Sequence, residues 1–151
     1  MRFIQILIGI TVVAVLAACA AVQGYNGARL PNSETALVTA TSNNWVWIGV
    51  SVPGTPITHK LRLLPGYSCV NVEAAYGGGP FTNSSLGGNR RGEELELCFQ
   101  ANASKTYDVK ALFSCTARNR RGGCRREQWS LQAVRIEDVE TGEVLDAKEV
   151  I

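Results

Sequence analysis

The chain opens on a hydrophobic run and then changes period. Residues 3–18 are almost unbroken apolar sequence, with Gln5 the one strongly polar interruption. Beyond residue 34 the pattern alternates with a period of two, the signature of half-buried strands. Residues 94–101 show it most clearly. Leu95, Leu97 and Phe99 fall on one face, and Glu94, Glu96 and Cys98 on the other. Residues 68–76 group Val70, Val72 and Ala74, and residues 106–114 group Tyr107, Val109, Ala111 and Phe113. Residues 35–41 and 45–52 are rich in Val, Thr, Ile and Trp, the residue types that strands favour, and residues 57–63 follow as a further strand. Residues 129–139 read as a last long strand. Its inward set switches between Ala133 and Val134, which predicts a bulge there. Residues 144–150 follow the turn at Thr141-Gly142. Pro53-Gly54 breaks the second strand, and Pro65-Gly66 is placed for a type II turn. No repeat and no convincing helix follow the apolar run. The expected fold is all-β, a single β-sandwich or small barrel over residues 35–151.

The apolar run is a question of address. About 16 residues fall short of the roughly 20 that span a bilayer as a helix. Met1-Arg2 before the run and small residues after it fit a secretory signal. Leu16-Ala17-Ala18-Cys19 resembles a bacterial lipobox. That resemblance implies cleavage after residue 18 and acylation of Cys19. Residues 1–18 are then a signal peptide, and residues 19–34 the lipidated cysteine and a tether. One acyl chain holds a protein only marginally, at about 0.8 kcal/mol per buried methylene. The several chains the resemblance implies make release negligible. Ala20, where an aspartate would favour inner-membrane retention, implies an outer-membrane lean. The lipid on Cys19 is the only cofactor expected.

Four cysteines remain: Cys69, Cys98, Cys115 and Cys124. An even number in an exported chain predicts two disulfides. Three pairings exist. Cys69–Cys98 with Cys115–Cys124 is favoured, because the second pair closes a short glycine-containing loop. In the first pair, both residues lie opposite the apolar stripes of their strands. A zinc site is a poor alternative, since no C-x-x-C pair occurs. No metal is expected.

The net charge is only +2, so no global field selects a partner. The charges are nevertheless segregated. Arg118, Arg120, Arg121, Arg125 and Arg126 crowd the stretch around Cys124, and Arg90 and Arg91 end a glycine-rich stretch. Residues 77–92 of that stretch read as a mobile loop, and they lack the P-loop spacing. If both loops lie at one end of the sandwich, their arginines form one cationic surface suited to phosphate or carboxylate. The blander reading is a solvated loop with charges for solubility. Trp45 and Trp47 form a second candidate binding face, opposite Val46, Ile48 and Val50. The bland reading there is that the tether, around Tyr25 and Leu30, folds back over them.

Catalytic signals are weak. The one histidine, His59, stands beside Lys60 at a strand start and reads as a surface residue. The carboxylates of Glu93-Glu94-Glu96 and of Glu137-Asp138-Glu140 read as solvated strand faces and ends. No catalytic residue is expected.

The order of several short motifs resembles a group of small, poorly characterised bacterial lipoproteins. These are Tyr-x-Gly-x-Arg-Leu-Pro from Tyr25 to Pro31, Glu34-x-Ala36, Leu63-Leu64-Pro65-Gly66, Ala103-x-x-x-Tyr107, and Asp138-x-x-Thr141-Gly142. The resemblance implies a β-sandwich on an acyl anchor and brings no catalytic residues. The cysteines and the arginine loop depart from that pattern. The expected function is a non-catalytic binding or assembly module of the envelope. The membrane holds its anchor, and its partner is an envelope protein, an anionic lipid or a glycan. Nucleic acid does not suit the compartment. Two alternatives stand beside this: an inhibitor of an exogenous hydrolase such as lysozyme, and an enzyme acting on envelope glycans.

Overall fold

The computed structural model describes residues 20–42, 46–76, 94–116, 118, 120–122, 124 and 129–150. Nine strands and one short 3-10 turn make up its regular structure: β1 (Val22–Gln23), the turn at Asn32–Glu34, β2 (Ala36–Ala40), β3 (Val46–Ser51), β4 (Lys60–Leu63), β5 (Gly66–Tyr76), β6 (Leu95–Ala101), β7 (Thr106–Cys115), β8 (Trp129–Asp138) and β9 (Val144–Glu149). No α-helix occurs among the described residues. The strands form two packed sheets, one in the order β1-β4-β2-β7-β8-β9 and one in the order β3-β5-β6.

The alternation seen in the sequence decides which side chains meet between the sheets. Val70, Val72 and Ala74 of β5 and Leu97 and Phe99 of β6 face Tyr107 and Val109 of β7 and Ile136 of β8, all buried. Each fully buried large apolar side chain contributes about 1.5–3 kcal/mol relative to exposure. Cys69 lies directly opposite Cys98 across β5 and β6, and the two are bonded, with Cα atoms 4.0 Å apart. Cys115–Cys124 is the second disulfide.

Both sides of the sandwich are tied. On one side, Thr58 exchanges two backbone hydrogen bonds with Val50 of β3, and the carbonyl of His59 accepts the Ala40 N–H of β2. Residues 58–60 thus pass from one sheet to the other. On the opposite side, the Asp146 carboxylate of β9 accepts the Cys98 N–H of β6 at 2.7 Å. Such closures remove edges that would otherwise recruit other chains. Asp146→Ala leaves that N–H without its acceptor and is expected to cost about 1–3 kcal/mol in urea unfolding. Asp146→Asn keeps a carbonyl acceptor and should recover most of the loss.

Two details differ from the sequence expectation. The bulge in β8 lies one residue earlier than expected. Leu112 pairs with Ala133 but Phe113 with Leu131, so Gln132 is the extra residue. The Gln132 carbonyl there accepts the Val150 N–H. Part of the stretch read as a tether is strand: β1 pairs in parallel with β4, and the Gly24 N–H donates to the Arg62 carbonyl. The expected Pro65-Gly66 turn carries the chain from β4 in one sheet to β5 in the other, with Gly66 at φ +134°.

Candidate functional site

One end of the sandwich gathers the features singled out above. β7 ends at Cys115 and β8 begins at Trp129, the two residues being paired. Cys115–Cys124 closes a loop of sequence separation 9, and Arg118 bridges back to Cys124 within it. Arg118, Arg120 and Arg121 are exposed on that loop. Beneath it, Tyr76 stacks on Trp129 at 4.7 Å and 15°, and meets Phe113 at 5.8 Å. Such aromatic pairs contribute about 0.5–1.5 kcal/mol beyond their burial. Tyr76 is the last residue of β5, so the chain that carries Arg90 and Arg91 leaves from the same end as the Cys124 loop. Arg90, Arg91, Arg125, Arg126, Trp45 and Cys19 themselves lie outside the described residues, as does the glycine-rich stretch. The Tyr76–Phe113–Trp129 cluster escaped the sequence reading. Its signal was there: Tyr76 and Trp129 each border an arginine-bearing loop.

Three cations elsewhere on the sandwich, Lys105, Lys110 and Arg135, are ion-paired. Lys110 and Arg135 both reach Glu137, the latter at 2.7 Å. Lys105 pairs with Glu140 and stands 3.9 Å from Asp138. Arg118 and Arg120 have no ion-pair partner among the described residues. The acidic turn that holds Asp138 and Glu140 lies at the opposite end, where β8 finishes.

These pairs shift titration. The hydrogen bond from Lys110, helped by Arg135, holds the Glu137 carboxyl below the usual carboxylate range. Asp138 is held low first by the N–H of Thr141, then by that of Glu140, with Lys105 adding attraction. Lys105 is raised, chiefly by its hydrogen bond to Glu140. A depressed carboxyl adds stability above its unfolded pKa, and that stability is lost as pH falls through the folded value. The melting temperature should thus hold from neutral pH to about 5 and drop steeply below about 4. Glu137→Gln with Asp138→Asn should lower it at pH 7 and flatten the acid drop, as thermal scans across pH would read.

Trp47 lies on the outer face of β3, as its place in the alternation required. Its ring meets His59 edge-on at 5.6 Å. The ring also crosses over Gly49, where an added Cβ would stand 2.4 Å from Trp47 and 2.3 Å from Ile57. Gly49 is therefore the floor on which both side chains rest. Tyr25, which was expected to help cover this face, turns back on its own segment, its hydroxyl accepting the Leu30 N–H. Gly49→Ala should displace Trp47 and Ile57 and destabilise by about 1–3 kcal/mol. A red shift of tryptophan emission would report the displacement.

Chemistry-bearing clusters are few. His59 is exposed and engaged with Trp47. Glu96 lies with Cys69 and Cys98 inside 4.8 Å, but both sulfurs are spent in the disulfide and offer no thiolate. Glu137 and Asp138 serve ion pairs and a turn. No protein-family model, no curated protein and no solved structure matches this chain.

Proposed function

We propose that this chain is a lipid-anchored protein of the bacterial envelope, held by Cys19 in the outer membrane, whose β-sandwich is a non-catalytic binding module. The arginine loop reads an acidic surface on a membrane-proximal envelope protein. One observation carries the reading. Arg118 and Arg120 stand exposed on a disulfide-held loop and have no ion-pair partner among the described residues, while Lys110 and Arg135 on the larger sheet are both paired with Glu137. A stapled loop presents its charges in fixed positions, and guanidinium groups pair with carboxylates bidentately. The acidic turn at the far end cannot compete for them within about 8 Å, the screening length at physiological salt.

The test is affinity capture of the lipidated protein from crosslinked native envelopes, with partners identified by mass spectrometry. A parallel sample carries Arg118→Ala, Arg120→Ala and Arg121→Ala. A stoichiometric protein partner lost from the variant, and released from the wild type by salt, is the expected result. A partner retained by the variant, or no specific partner in either sample, overturns the assignment of the loop.

A further inference from the structure

β1 fixes where an anchored chain must leave the domain. It runs parallel to β4, with Val22 opposite Leu61 and Gln23 opposite Arg62. The chain before Val22 therefore departs at the end where β4 begins, beside Lys60 and His59. β4 is antiparallel to β2, and β2 is parallel to β7. In that register Val22 shares a row with Val38, Tyr107 and Asp138, so the chain leaves β1 in the direction in which β7 runs, but level with the start of β7 and eight residues before Cys115. Cys19 precedes Val22 by three residues, which reach at most about 10 Å when fully extended. A lipid on Cys19 then brings the bilayer to within about that distance of β1. The free tether is far shorter than the sequence indicated.

The surface waiting there has the composition of a membrane interface. Trp47 lies across Gly49, Ile57 beside it is 37% exposed, and His59 and Lys60 are exposed at the same corner. Tryptophan concentrates at the headgroup level, where its body is apolar and its N–H is wet. Lysine lays its stem along such a surface and keeps its ammonium among the phosphates. We propose that Trp47, Ile57, His59 and Lys60 form a foot that rests in the headgroup layer of the bilayer holding the anchor. This rests on the acylation of Cys19. The foot fixes the orientation of the domain.

The test uses full-length acylated protein in vesicles of phosphatidylethanolamine and phosphatidylglycerol, with or without bromine on the acyl chains near the headgroup. Flotation and the mass of the N-terminal peptide report anchoring. Tryptophan emission reports contact. Brominated lipid should quench the wild type by up to about one third, the share of one tryptophan among three. Trp47→Phe keeps a ring over Gly49 and should remove most of that quenching, and Ile57→Gln should reduce it with Trp47 intact. Flotation without quenching, or quenching that Trp47→Phe leaves unchanged, overturns the foot while the anchor stands. Absence of the acyl mass and of flotation overturns both.

Discussion

Tyr107→Ala is expected to cost about 3–5 kcal/mol, the range for removing a large buried aromatic ring. Tyr107 is 1% exposed and sits in the row that runs from Val22 through Leu61 and Val38 to Asp138. It does more than fill space. Its ring meets Phe99 of the other sheet edge-on at 4.8 Å. Its hydroxyl accepts the Asn102 N–H at 2.9 Å, just beyond the end of β6. One side chain of the six-stranded sheet therefore both packs against the three-stranded sheet and caps one of its strands. Tyr107→Phe separates the two contributions. It keeps the packing but strands the Asn102 N–H, at about 1–3 kcal/mol. Urea titrations should show both variants as falls in midpoint at constant slope. Equal losses in the two variants would show that the hydroxyl, not the ring, joins the sheets there. A domain holds only about 5–15 kcal/mol in total, so Tyr107→Ala approaches the limit of what this fold tolerates.

The sequence made faces legible and left neighbours hidden. Alternation identified the buried sides of β5, β6 and β7, and so put Cys69 and Cys98 on the outer side together. A period of two says which face a residue takes, not which strand lies beside it. Nothing local announces that β2 pairs in parallel with β7, or that β4 and β5, two residues apart, belong to different sheets. β1 has only two residues, too few for any alternation, and the stretch around it read as a tether. The bulge came out one residue off because the side-chain switch at Ala133 follows the backbone irregularity at Gln132. At the candidate site the outward face of Trp47 was readable. Its support by Gly49 and His59 was not, because that depends on a strand crossing between sheets. The charges show the same division. Arg135 and Arg118 are alike as letters. Only the fold shows that Arg135 reaches Glu137 while Arg118 stands exposed on the loop closed by Cys115–Cys124.

Removing both disulfides is expected to take away about 5–7 kcal/mol, enough to leave the domain near or below zero stability. The chain-entropy account gives about 3–4 kcal/mol for Cys69–Cys98, with its separation of 29, and about 2–3 for Cys115–Cys124, with its separation of 9. The loops do not overlap in sequence, so their contributions should add. The domain is then expected to fold stably only where thiols are oxidised. The two bridges should separate in function. Cys69→Ala with Cys98→Ala lowers the denaturation midpoint more, yet leaves the arginine loop intact and partner capture unchanged under folding conditions. Cys115→Ala with Cys124→Ala costs less stability. It frees the loop that carries Arg118, Arg120 and Arg121, so ordering that loop is charged against binding. Partner affinity should fall in the second pair and not in the first. Unchanged affinity in the second pair would mean that the partner reads the arginines as charge alone, and that the staple serves folding rather than recognition.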